Sequence, residues 1–253
     1  MTRKTSQILI GVIVIALIAA GVLYQFAGDD ATDAVIPESA ASIPEAATPT
    51  KATVAKDVRA TTVDDKRPTI LVVGDSLSAG YGLADLSDGW VALLQQKLDG
   101  NELAYRVVNA SISGDTSNGG AARLPAALAT HKPDLVVIEL GGNDGLRGFP
   151  IETMRRNFER MITASQAAGA DVMLLGMMIP PNYGERYTTA FVEQYEALAD
   201  DYDLALVSFF LEGVALDDSL MQSDGIHPNA EAQPVMLENV WPTLVNVLSP
   251  ADY

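Results

Sequence analysis

From Pro68 onward, five short and almost wholly apolar runs alternate with helix-length segments, and no other feature restricts the fold as tightly. The runs cover residues 69–73, 105–109, 134–140, 172–178 and 204–207. Between them, residues 90–98, 118–130, 151–168 and 190–200 read as helices, and 230–248 closes the chain as another. Met154, Phe158, Met161 and Ile162 recur on one face of the third helix, the spacing of an amphipathic helix. A strand that is apolar throughout, rather than at alternate positions, must be covered on both faces. Helices between successive strands make those strands parallel. The expected architecture is therefore α/β, with a five-stranded parallel sheet between layers of helices. Pro234 and Pro242 are expected to start or bend parts of the last helix, because proline lacks the amide hydrogen a helix interior needs.

The chain before the sheet is organised differently. Residues 8–26 form a 19-residue apolar run with Gln25 as its one strongly polar member, close to the ~20 residues of a membrane-spanning helix. Arg3 and Lys4 precede the run and Asp29 and Asp30 follow it, which puts the N-terminus in the cytoplasm and the rest of the chain outside. Residues 1–27 are thus expected to be a single-pass anchor in the cytoplasmic (inner) membrane. A cleaved signal segment, leaving a soluble periplasmic protein, is the alternative. Ala19-Ala20-Gly21 offers small residues for processing, but Val22 and Leu23 continue the apolar run. Residues 28–67 are rich in Ala, Thr, Ser and Glu, and are interrupted by Pro37, Pro44 and Pro49. They read as a disordered linker spanning on the order of 35 Å. Residues 68–253 are the globular domain.

Composition excludes several chemistries. The absence of cysteine removes disulfides, thiolate catalysis and cysteine-bound metal. Two histidines are too few for a histidine-rich metal site. Of the net charge of −17, −16 lies in residues 68–253. A domain this acidic repels nucleic-acid phosphates, so no nucleic-acid partner is expected. Its ordinary use is solubility.

In open α/β sheets, ligands bind beyond the carboxyl ends of the strands. The segments there are Gly74-Asp75-Ser76-Leu77-Ser78, Asn109-Ala110-Ser111-Ile112-Ser113-Gly114-Asp115-Thr116 and Gly141-Gly142-Asn143-Asp144-Gly145; Asp224-Gly225-Ile226-His227-Pro228 precedes the last helix. A nucleophilic serine needs a base, an orienter for that base and donors for the oxyanion. His131 precedes the third strand at the amino end, which leaves His227 as the base, with Asp224 three residues earlier to fix its tautomer. Ser76 follows a strand and a small glycine, where a hydroxyl can stand clear; helix N-capping is its ordinary alternative. Ser78, Ser111 and Ser113 can cap or line the same edge. Gly114 and Asn143 are oxyanion-donor candidates, one through an unobstructed backbone N–H and one through an uncharged amide. Asp144 is expected to hold its loop by hydrogen bonds. No Gly-x-Ser-x-Gly occurs, which argues against an α/β-hydrolase elbow.

Together these four segments resemble the conserved blocks of the SGNH (GDSL) hydrolases, from about Ile70 to the last helix. The likeness is nearest to the bacterial thioesterase I / protease I / lysophospholipase L1 group. It is carried by residues 109–116, by Glu139-Leu140-Gly141-Gly142-Asn143-Asp144-Gly145-Leu146-Arg147-Gly148 and by Asp224-Gly225-Ile226-His227-Pro228-Asn229. The resemblance implies a flavodoxin-like three-layer α/β/α sandwich. It implies a Ser76–His227–Asp224 triad and an oxyanion hole of the Ser76 and Gly114 amides with the Asn143 side chain. A mobile loop at about 145–150, bearing Gly145, Leu146, Phe149 and Pro150, is implied to meet the acyl chain, with Ile179 and Pro180 as another wall. The long leader and linker depart from the group's short signal segment.

The expected activity is hydrolysis of carboxylic esters or thioesters through an acyl-serine: lysophospholipids, aryl or alkyl esters, or acyl thioesters, with no metal or organic cofactor. A carbohydrate deacetylase on the same fold is one alternative, although no aromatic-rich stretch supplies a sugar groove. A catalytically inactive anchored binding domain is another.

Overall fold

The computed structural model describes residues 66–101 and 103–248. The expected anchor and most of the expected linker lie outside the described residues. Among the described residues no helix is long and apolar enough to cross a membrane.

Five strands form one parallel sheet: β1 (Thr69–Gly74), β2 (Arg106–Asn109), β3 (Leu135–Glu139), β4 (Asp171–Leu175) and β5 (Ala205–Val207), in the order β2-β1-β3-β4-β5. The helices are α1 (Ser76–Ala79), α2 (Trp90–Gly100), α3 (Ser117–His131), α4 (Gly142–Leu146), α5 (Ile151–Ala167), α6 (Glu185–Tyr202) and α7 (Gln233–Leu248). From β1 the chain steps outward to β2, then returns past β1 and continues through β3, β4 and β5 in the opposite direction. Right-handed crossovers therefore put α2 on one face and α3, α5 and α6 on the other. The contacts agree: α2 packs against α7, while α3 packs on α5 and α5 on α6. The reversal lies between β1 and β3, where a sheet of this kind opens a ligand crevice.

The central strands are covered on both sides. Ile70, Leu71, Val72, Val73, Val136, Val137 and Ile138 are all inaccessible to solvent, which is why they are apolar without alternation. Trp90, Leu94 and Leu98 fill the α2 face of the core, and Phe158, Met161, Phe191 and Tyr195 fill the other. Several boundaries differ from the sequence reading, and two of the shifts have a visible cause. The fourth strand ends at Leu175, not residue 178, because Gly176 leaves the ladder: its amide donates to Val207 O and its carbonyl accepts from Phe210 N. A Cβ at Gly176 would lie 2.4 Å from Ser208 O, so only glycine allows this crossing. Helix α6 begins at Glu185 rather than residue 190, since Tyr187 and Thr188 already make helical bonds to Gly184. Pro234 sits in the first turn of α7, where no amide hydrogen is needed, whereas Pro242 lies inside it.

Phe158 is fully buried and packs edge-on to Tyr195 with ring centroids 5.4 Å apart. Phe158→Ala is expected to cost about 3–5 kcal/mol of stability, read as a lowered urea midpoint with an unchanged slope. A loss below about 1 kcal/mol would mean that this face is not the packed core described.

Candidate active site

The register of β1 on β3 sets Gly74 opposite Glu139. A Cβ at Gly74 would lie 2.6 Å from Glu139 Oε2 and 2.7 Å from Ser78 Oγ, so the absence of a side chain here is what lets these two groups meet. Asp75, not Ser76, is the N-cap of α1: its Oδ1 accepts from the Leu77 amide at 3.1 Å. Ser76 is the first helical residue, and the turn ends at Gly80 in a left-handed conformation, φ 74°. Ser76 thus stands at the carboxyl edge of the sheet on one short, stiff turn.

His227 arrives from the connection between β5 and α7. Its Nε2 lies 3.0 Å from Ser76 Oγ and its Nδ1 2.7 Å from Asp224 Oδ2. Asp224 Oδ1 accepts the amides of Ile226 and His227 at 2.9 and 3.0 Å. Partial burial works to raise the Asp224 pKa, but the bonds from the His227 amide and ring and from the Ile226 amide outweigh it and hold the carboxyl below its ordinary range. It is a carboxylate at neutral pH, as an orienter of imidazole must be. The loop is braced at its base: Gln222 N donates to His227 O at 2.7 Å, and Gln222 Nε2 donates to Tyr81 O and Pro228 O. The Tyr81 ring lies against the imidazole, centroids 4.5 Å apart.

The candidate oxyanion donors occupy neighbouring connections. Asn143, in the first turn of α4, donates from Nδ2 to Asp75 Oδ2 at 2.9 Å. Gly114 has φ 79° and nothing near the place of a Cβ. Its segment is bound to β1, since Ala110 N donates to Val72 O and Ile112 N to Gly74 O. Asp144 is buried and accepts from both the amide and the hydroxyl of Ser117, which ties α4 to the start of α3. Burial raises its pKa against those bonds.

The residues expected to meet substrate fall into two sets. Leu146, the last residue of α4, and Phe149 and Pro150, on the connection that follows it, are exposed. Gly145 and Ile179 are buried against each other, Ile179 Cγ2 lying 2.7 Å from the place of a Gly145 Cβ, and Pro180 is half-buried. The loop at 145–150 is pinned at two carbonyls: Tyr183 Oη donates to Leu146 O at 2.7 Å and Tyr187 Oη to Phe149 O at 2.6 Å. His131 ends α3 at the amino side of the sheet, away from the site.

Sequence reasoning missed the acidic pair beneath Ser76. Glu139 is wholly buried, and its Oε2 accepts from Ser78 Oγ at 2.7 Å and from the Asp75 amide at 3.3 Å. Trp90 Nε1 donates to the same Ser78 hydroxyl. Burial, reinforced by the Asp75 charge, drives the Glu139 pKa well upward. Burial also pushes Asp75 up to about 6, against the opposing bonds from Leu77 and Asn143 and the nearby His227. The available signal was one charged residue in an otherwise apolar strand, Val136-Val137-Ile138-Glu139-Leu140.

Residues 72–234 match the GDSL-like lipase/acylhydrolase family. The esterase TesA of Pseudomonas aeruginosa is 60% identical over 180 residues, 71% of this chain and 89% of that protein. The thioesterase 1/protease 1/lysophospholipase L1 of Escherichia coli K12 is 48% identical over 170 residues, 67% of this chain and 80% of that one. Among solved structures, that of TesA covers 70% of this chain and 97% of its own, with a TM-score of 0.68 and 60% identity. The psychrotrophic esterase EstA from Pseudoalteromonas sp. covers 72% of this chain and 98% of its own, with a TM-score of 0.69 and 44% identity. A five-stranded parallel sheet with a serine, histidine and aspartate linked at its carboxyl edge agrees with these matches, and the chain belongs to the GDSL-like lipase/acylhydrolase family.

Proposed function

We propose that this serine hydrolase cleaves carboxylic esters and thioesters through an acyl-Ser76 intermediate. The observation that carries the reading is the unbroken chain Ser76 Oγ–His227–Asp224, at 3.0 and 2.7 Å. As Ser76 Oγ attacks the acyl carbonyl carbon, His227 Nε2 takes its proton and Asp224 stabilises the imidazolium. The Ser76 and Gly114 amides and Asn143 Nδ2 receive the oxyanion. Collapse of the tetrahedral intermediate expels the alcohol or thiol, which takes the proton from His227. Water, deprotonated by the same ring, attacks the acyl-serine and releases the acid. In this mechanism Asp75 orients the Asn143 amide: one Nδ2 hydrogen is committed to Asp75 Oδ2, which fixes the plane of the amide and the direction of the other.

Apolar acyl or aryl groups fit the site. The exposed large hydrophobic side chains among the described residues are Tyr81, Leu86, Ile112, Leu146, Phe149, Met178, Leu216 and Ile226. All sit on connections that leave the carboxyl ends of the strands, the end that bears Ser76. Octanoyl esters are thus favoured over acetyl esters, and lysophospholipids are the fitting natural substrate for a domain exported beyond the cytoplasmic membrane. The 19-residue apolar run at 8–26 supports anchoring there, with the catalytic domain on the extracytoplasmic side. The name of the Escherichia coli relative, which includes thioesterase and lysophospholipase, supports the same breadth.

Ser76→Ala is expected to lower kcat on p-nitrophenyl octanoate by at least ~10⁴-fold while leaving the melting temperature near that of the parent. Turnover retained in that variant would dismiss the mechanism, and a wild-type preference for acetate over octanoate would dismiss the substrate class.

Asp75 gives a second, independent expectation. Its pKa rises from 3.8 to about 6 on folding, so the folded state holds this proton more tightly than the unfolded chain. The stabilisation is complete below about pH 4 and is lost as pH rises through about 6. Asp75→Asn, which cannot ionise, should therefore gain roughly 1–3 kcal/mol over the parent at pH 7–8 and almost nothing at pH 4. The same variant should lose about 10²-fold in kcat, because the single carbonyl oxygen of asparagine cannot accept from both the Leu77 amide and Asn143 Nδ2. Chemical denaturation at the two pH values checks the first, and steady-state kinetics the second. An Asp75→Asn protein less stable than the parent at pH 8 would contradict the account of this carboxyl.

A further inference from the structure

Arg123 projects from α3, a helix that carries none of the candidate catalytic residues, yet its guanidinium reaches three segments at the carboxyl edge. Nη2 donates to Gly74 O at 3.2 Å, Nη1 donates to Ala110 O, and Nε pairs with Asp115 Oδ2 at 2.7 Å. Gly74 is two residues before Ser76, Ala110 is the first residue beyond β2, and Asp115 directly follows Gly114. The pair is largely shielded, with side-chain exposures of 21% and 12%. The first turn of α3 makes room for it: a Cβ at Gly119 would collide with Asp115 Oδ1.

Gly114 itself is not held by packing. Glycine offers no side chain to pack, and no atom lies within 4 Å of where its Cβ would be. Its position relative to Ser76 depends on the exposed Arg147, which donates to Gly114 O at 3.3 Å, on the Ala110–Val72 and Ile112–Gly74 backbone bonds, on the Ser117–Asp144 bonds that follow it, and on Arg123, the one side chain that grips both sides of the turn. We propose that Arg123 is a positioning residue whose planar fork keeps the Ser76 and Gly114 amides in register to receive one oxyanion. The inference rests on the serine-hydrolase reading above. A lysine cannot substitute, since one ammonium nitrogen does not reproduce the fixed fork whose three separate nitrogens reach the three acceptors. The contribution belongs to the transition state: the oxyanion exists only there, and its donors act only when correctly spaced.

The test uses the full chain with Arg123→Lys and Arg123→Ala, p-nitrophenyl octanoate as substrate, octaneboronic acid as tetrahedral analogue and octanoate as product. Arg123→Lys should lose about 10–10²-fold in kcat, the size expected of a misplaced oxyanion donor, with KM changed by less than about threefold. The boronate inhibition constant should rise in parallel with the loss of kcat, while that of octanoate stays near the parent value. Guanidinium ion at tens of millimolar should restore part of the activity of Arg123→Ala and none of that of Arg123→Lys. A Lys variant with parental kcat, or boronate and octanoate affinities that fall together, would overturn the inference; the Lys variant keeps the experiment decisive if the Ala variant does not fold. Failure of the underlying reading looks different: the parent would be inert on the ester, or Ser76→Ala would match it.

Discussion

The pairing of Gly74 with Glu139 across β1 and β3 is the contact on which the site depends. It brings the end of β1, which leads into Ser76, against the strand that feeds Asn143. Because Gly74 has no side chain, Glu139 fills the space beside it, and there Oε2 accepts from the Asp75 amide and the Ser78 hydroxyl. Trp90, the first residue of α2, bonds that same hydroxyl. One buried carboxyl therefore joins two strands, the turn that carries Ser76 and the first helix of the opposite layer. Burying a charged carboxyl without a cationic partner costs several kcal/mol, so the group resolves the cost by holding its proton, as its upward shift indicates.

Asp75 has the opposite relation to stability. It is almost completely buried beside a second acid, and its raised pKa means that ionisation at neutral pH works against folding. What that ionisation provides is two proton-free oxygens, one accepting from the Leu77 amide and the other from Asn143 Nδ2. The turn that carries Ser76 is thus less stable at neutral pH than a variant with no charge at position 75 would be, the trade expected if the proposed function fixes that charge. The surrounding scaffold tolerates this because the central strands are dry and tightly packed on both faces. Asp224, by contrast, is partly exposed and well supplied with amide donors, so its charge is compatible with stability.

Much of this was legible in the sequence. Residues 70–73 and 136–138 announce central parallel strands because they have no polar alternation, and the structure buries them completely. The choice of His227 followed from there being two histidines of which one lies at the wrong end of the sheet, whereas its contact with Ser76, 151 positions away, rather than with Ser78, Ser111 or Ser113, was implied by the family resemblance. What was not legible has one physical character: contacts made between a side chain and distant backbone. Arg123 reaches carbonyls 49 and 13 residues away, and Tyr183 and Tyr187 reach carbonyls 37 and 38 residues away. Carbonyls are present at every position and leave no trace in residue type. The early end of β4 at Leu175 is of the same kind, set by the bonds of Gly176 to residues 207 and 210. Glu139 did leave a trace, a lone acid in an apolar run, whose meaning needed the strand register.

The central claim is that the hydroxyl on the turn after β1 is the nucleophile. It is tested most directly by reacting the full chain with a fluorophosphonate and mapping the adduct by peptide mass spectrometry. The account predicts one phosphonyl group per chain, carried on the peptide containing Ser76 and localised to that residue. An adduct on Ser78, Ser111 or Ser113, or an active protein that takes up no phosphonyl group, would contradict it.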